Sequence, residues 1–114
     1  MPQQPTNLFA GLPVLDSGED FITLIDQGNV QIERIVSSPR PESNRYDQDH
    51  DEWVLLLSGQ ATLELDGKPV QLNTGDHLLI PAHCPHRVLA TSDKPRCLWL
   101  AVHLRECPTA SAAA

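Results

Sequence analysis

The 114 residues are enough for one domain with a single core and too few for two. A net charge of -7 leaves no basic surface for a nucleic-acid backbone or an anionic membrane, so neither is expected as a partner. With 40% hydrophobic but only 4% aromatic residues, the core must rest on Leu, Val and Ile.

No run is apolar for the length of a membrane helix, and the N-terminus lacks a basic stretch followed by an apolar one. Cys84, Cys97 and Cys107 are odd in number and form no Cys-x-x-Cys pair, so a reduced, cytoplasmic setting is expected.

Residues 1–18 mix Pro, Gln, Asn and Gly with isolated hydrophobes and read as an irregular arm, packed through Phe9 and Leu12 on the domain or on a partner subunit. Phe21–Ile25 and Val30–Val36 read as two strands joined by turn residues. Ser37–Arg45 is a Pro-containing loop. Trp53–Leu57 is apolar at every position, as in a strand covered on both faces. Ala61–Leu65 alternates, Asp66-Gly67 is a strong two-residue hairpin signal, and Val70–Leu72 pairs back. Leu78–Ile80, Arg87–Ala90 and Cys97–Leu104 complete the strands, and residues 108–114 read as a small-residue tail. No amphipathic helix is evident. About eight to ten short strands imply an all-β sandwich or barrel over residues 19–107.

Two spacings carry a family resemblance. Glu52, six residues and Gly59 resemble the end of the first cupin motif. Gly75-Asp76, Pro81 and His86 resemble the second, which ends in a metal-ligand His. The short stretch between them, Gln60–Thr74, suits a small single-domain cupin. The resemblance implies an antiparallel jelly-roll β-barrel with a site in its mouth. It also implies a divalent transition metal (Zn, Fe, Mn, Ni or Cu) and a small-molecule ligand. The family's His-x-His before the Glu is replaced by Tyr46 and Gln48, or by Arg45 and Asp47 at the longer spacing. The Gly expected two residues after Pro81 is His83.

Strand parity then nominates the site. In an extended Tyr46–Ser58, the side chains of Tyr46, Gln48, His50 and Glu52 share the inward face with Val54 and Leu56, and the three aspartates face outward. The expected metal donors are Gln48, His50, Glu52 and His86. Tyr46 and His50 are the acid/base candidates. The competing reading is a hydrogen-bonded polar cluster without metal, in a non-catalytic small-molecule-binding cupin. His77 is expected to be exposed, His83 to belong to a loop, and His103 to be a satisfied core or interface histidine. Nucleophilic catalysis finds little support, because Ser58 and Ser92 lack a Gly-x-Ser-x-Gly frame and Cys84 offers only sequence adjacency to His83 and His86. Fold does not fix function, and the family's activities range over dioxygenases, isomerases, decarboxylases and ligand sensors. A homodimer is expected, since the outer face of the doubly apolar strand needs a cover.

Overall fold

The structure, a computed structural model, describes residues 4–42 and 44–105. Cys107 and the expected tail at 108–114 lie outside them. Eight strands follow one another: β1 Glu19–Gln27, β2 Val30–Ser37, β3 Asp51–Ser58, β4 Gln60–Leu65, β5 Lys68–Asn73, β6 His77–Ile80, β7 His86–Thr91 and β8 Cys97–Leu104. Every strand expected from the sequence is present, and no helix occurs among the described residues. None is therefore available to cross a membrane.

The strands form two antiparallel sheets, one ordered β1-β2-β8-β3-β6 and the other β5-β4-β7. This is the jelly-roll arrangement. Alternation builds the space between the sheets. On β3, Glu52, Val54 and Leu56 point inward and are buried, while Trp53, Leu55 and Leu57 face outward and are half-buried. Ile35 of β2, Ala61 and Leu63 of β4, Leu72 of β5, Ile80 of β6 and Trp99 and Ala101 of β8 fill the same interior. The core is aliphatic apart from Trp99, whose indole N–H donates to Ser37 Oγ at 3.0 Å.

In the N-terminal arm Phe9 is 57% exposed and Leu12 is half-buried. Backbone carbonyls of the arm are tied to the domain. The Arg34 guanidinium donates to the carbonyls of Leu8 (3.3 Å) and Ala10 (3.0 Å), and Arg96 donates to that of Pro13.

The chain changes sheet between β3 and β4 through Gly59 alone. Its φ of +98° is in the range that favours glycine, and a Cβ there would lie 2.8 Å from Ser92 Oγ and 2.9 Å from Cys97 Sγ. The β4–β5 hairpin turns on Asp66 (φ +50°) and Gly67 (φ +80°), as the two-residue signal requires. Gly67 has open space around its α-carbon, with nothing within 4 Å of an added Cβ. Gly59→Ala is therefore expected to destabilise the fold by about 2 kcal/mol or more, and Gly67→Ala by about 1 kcal/mol, in urea unfolding. Equal losses at the two positions would show that the crossover is not tightly packed.

Candidate functional site

A cavity of about 80 Å³ opens between the sheets at one end of the barrel. That is room for a few waters or one small ligand. Its inner wall is apolar, from Ile35, Val54, Leu63, Ile80 and Trp99, and its mouth carries Tyr46, Gln48, Glu52, His86 and His103.

The segment before β3 reaches this mouth by bonding to the start of β7. Tyr46 N–H donates to His86 O (2.8 Å) and His86 N–H to Tyr46 O (2.9 Å). The two rings stack, with centroids 5.7 Å apart. Two residues on, Gln48 O accepts from His83 N–H at 2.6 Å. Extended geometry between these ties places Tyr46 and Gln48 on the cavity side, as parity implies.

Glu52 enters from β3 and His86 from β7, both buried. Glu52 Oε1 lies 3.6 Å from His86 Nε2. His86 Nδ1 is 3.0 Å from Cys84 O, a carbonyl that can only accept, so Nδ1 carries a proton and Nε2 is left to face Glu52. Burial disfavours the charged form of His86, but the hydrogen bond and charge of Glu52 and the Cys84 carbonyl outweigh it and hold its pKa above the ordinary value. The Tyr46 phenol is also raised, first by burial and then by repulsion from Glu19, so it stays protonated at neutral pH.

His50 sits apart from the other three candidates of its face. The backbone bends at Asp49 and His50, ending the extended run, and His50 does not line the cavity. Its Nε2 meets His103 Nδ1 at 2.9 Å, and its Nδ1 meets Asp49 Oδ1 at 3.1 Å. His103 Nε2 in turn donates to Glu33 Oε1 at 2.7 Å. Three ring protons over two imidazoles complete this chain from Asp49 to Glu33. The Glu33 bond raises the pKa of His103 against the opposing effect of burial.

His103 is a satisfied buried histidine, as expected, but it also belongs to the cavity wall. Glu33 and Glu19 line the cavity as well, and the sequence reading passed over both. Alternation on β2 held the signal for Glu33, since it shares the inward face with Ile35. The Glu19 carboxylate accepts from Ser37 Oγ, and its pKa is raised by burial and by repulsion from Glu52, Glu33 and Glu42. His83 belongs to a loop, with φ +63° and its ring 3.7 Å from Asp47. His77 is exposed against Trp53.

Three groups on the cavity wall have the chemistry of metal donors, Glu52, His86 and Gln48. Glu52 Oε1 and His86 Nε2 are closer than two ordinary metal–ligand bonds laid end to end, roughly 4.2 Å. The Cys84 carbonyl behind His86 is the outer contact that orients a ligating imidazole. Gln48 Oε1 is buried without any donor, an acceptor still open to a cation. Among the described residues, no group of three or more His, Cys, Asp or Glu is arranged to hold a metal, so Gln48 is needed to make a third donor.

The family model described as "Cupin domain" matches residues 36–103, more than half of the chain. A crystal structure from Ralstonia eutropha JMP134, provisionally named a mannose-6-phosphate isomerase, is 40% identical with a TM-score of 0.80, covering 91% of this chain and 100% of that one. A cupin superfamily protein from Desulfitobacterium hafniense DCB-2 is 22% identical with a TM-score of 0.76, covering 93% of this chain and 95% of that one. Quercetin 2,3-dioxygenase of Bacillus subtilis is 41% identical in a 56-residue alignment that covers 46% of this chain. The chain spans only 17% of that enzyme's length. With the two-sheet topology, the Glu52 and His86 placement and this match in hand, the chain belongs to the cupin family.

Proposed function

We propose that the protein binds a divalent transition metal and a small metabolite in the barrel mouth. The observation that carries this is the facing pair of buried donors, Glu52 Oε1 and His86 Nε2 at 3.6 Å, with His86 oriented by the Cys84 carbonyl. Glu52 and His86 would hold the metal, and Gln48 would add a neutral oxygen. A bound Zn, Fe, Mn, Ni or Cu ion supplies a Lewis acid there. Tyr46, protonated at neutral pH and on the cavity wall, is the group placed to donate a proton to a ligand. Among the described residues His50 reaches the cavity wall through His103, so an acid/base role for it would be indirect. The relatives carry a dioxygenase name and a provisional isomerase name, two different chemistries, and so support a small-molecule site without choosing a reaction.

One observation favours a second reading, a non-catalytic ligand-binding cupin with a reduced metal site: Tyr46 and Gln48 stand where the family's His-x-His supplies two strong donors. We further infer a homodimer. The outer face of the five-stranded sheet carries half-buried Trp53, Leu55, Leu100 and Val102 beside Leu79 and Leu104, which are 50% and 43% exposed. The free thiols of Cys84 and Cys97 suit a reducing, cytoplasmic compartment.

Elemental analysis of untagged, dialysed protein is expected to find close to one transition-metal equivalent per chain, or uptake of one on titration. Glu52→Ala and His86→Ala are expected to abolish it while leaving the fold intact. A chain that takes up no metal belongs to the second reading. Light scattering is expected to give twice the chain mass, and a monomer would remove the homodimer.

The same pair makes a pH prediction for metal-free protein. A histidine whose folded pKa is raised stabilises fully below its unfolded pKa, about 6.5, and that stability is lost as pH rises through the folded value. Stability in urea is therefore expected to fall as pH rises from about 6.5 through neutrality. Glu52→Gln should flatten this slope and lower the His86 pKa in an NMR titration, because burial then acts with weaker opposition.

A further inference from the structure

The charge of the cavity points to the class of ligand. Three carboxylates line it, Glu19, Glu33 and Glu52. Among the described residues, no Lys or Arg pairs with any of them. The arginine salt bridges run instead from Arg45 and Arg87 to Glu64 and from Arg105 to Asp26. Arg87, a cation on the cavity wall, is thus turned to Glu64, at 3.1 and 3.2 Å. Among the described residues, Glu33 and Glu52 each have a histidine, and Glu19 has the Ser37 hydroxyl. The raised pKa of Glu19 has repulsion from its carboxylate neighbours among its causes. Gln48 Oε1 is a further acceptor, buried and without a donor. The wall also holds donors, the Tyr46 hydroxyl and Arg87 Nε, the latter buried without a hydrogen-bond partner. The Arg87 charge is matched by Glu64, however, whereas that of Glu19 is met by no cation among the described residues. Beside Glu19 at the rim stand the half-exposed rings of Phe21 and Tyr46.

We propose that the small molecule bound in this cavity is an organic cation, an amine whose ammonium group is held by Glu19 and Glu33 and whose carbon skeleton lies against Phe21 and Tyr46. This rests on the reading of the cavity as a ligand site and names the ligand's charge class. An ammonium brings three donors and no acceptor, the complement of the Glu19 carboxylate and the open Gln48 Oε1. Charge-assisted hydrogen bonds to carboxylates are the strong kind, and the faces of Phe21 and Tyr46 add attraction for a cation. An anionic metabolite would meet the same carboxylates as repulsion. Neither Glu19 nor Glu33 is among the proposed metal donors, so the amine and the metal have separate partners.

The test uses n-butylamine and butyrate, similar in size and opposite in charge, titrated into the full chain at pH 7 and low salt and followed by ligand-observed NMR. The protein is first stripped with a chelator and then, in a parallel sample, loaded with zinc. Butylamine is expected to bind at least tenfold more tightly than butyrate in the stripped protein. Glu19→Gln, which keeps an acceptor for Ser37, is expected to weaken the amine about tenfold. Butyrate binding as tightly as the amine, no binding of either, or amine binding indifferent to Glu19→Gln would each overturn the proposal. Because the stripped arm contains no metal, a protein that takes up no zinc can still pass it. One that takes up zinc and rejects the amine fails this inference alone.

Discussion

The mouth of the barrel depends on a pair of backbone hydrogen bonds between two segments 40 residues apart in sequence, Tyr46 and His86. The described residues just before β3, 44–50, belong to no strand and have no sheet ladder to fix them. Three ties join this stretch and the first residue of β3 to the second motif: Tyr46 with His86, the Gln48 carbonyl with His83 N–H, and the Asp51 carboxylate with Ala82 N–H at 2.8 Å. Each satisfies a backbone group that would otherwise be left unpaired near the barrel end. Together they bring Tyr46 and Gln48 over the same opening as Glu52 and His86. The positive φ of His83 belongs to this arrangement, since the loop turns there to present its N–H to Gln48.

Burying carboxylates beside this opening is costly unless they are bonded, and the structure shows how each is met. Glu52 faces His86, Glu33 faces His103, and Glu19 accepts from Ser37, whose hydroxyl oxygen also receives the Trp99 indole N–H. Trp99 therefore does more than fill the core, because it links the aliphatic interior to the polar mouth. Replacing Glu19 with an apolar residue would leave the Ser37 hydroxyl without this acceptor.

Much of the fold was legible because alternation and turn chemistry are local. Ala61–Leu65, the Asp66-Gly67 turn and the run at Trp53–Leu57 each announce their conformation within a few residues. Tyr46, Gln48 and Glu52 were legible as cavity groups for the same reason, since parity needs only an extended chain. His50 departs because the bend at Asp49–His50 interrupts the extension, and nothing in the acidic run there marks the bend. The Glu33–His103 pair was hidden for another reason. It arises from the register of β2 on β8, two strands 60 residues apart in sequence, and pairing partners at such separation are not written in either strand alone. The ties of the arm were hidden likewise, because Arg34 and Arg96, which hold its carbonyls, lie far from it in sequence.

The four outermost strands of the two sheets are unequally guarded against adding a further strand. β6 has only four residues, β5 carries Lys68 and Pro69, and β7 carries Arg87. β1 is nine residues long, has neither Pro nor Lys, and exposes Phe21, Ile22, Leu24 and Ile25. Only a bulge between Thr23 and Ile25 interrupts it. Each chain thus offers one open edge, and two chains that join their β1 edges about a two-fold axis have none left. Association through these edges would then end at a closed pair and would not propagate into a fibre.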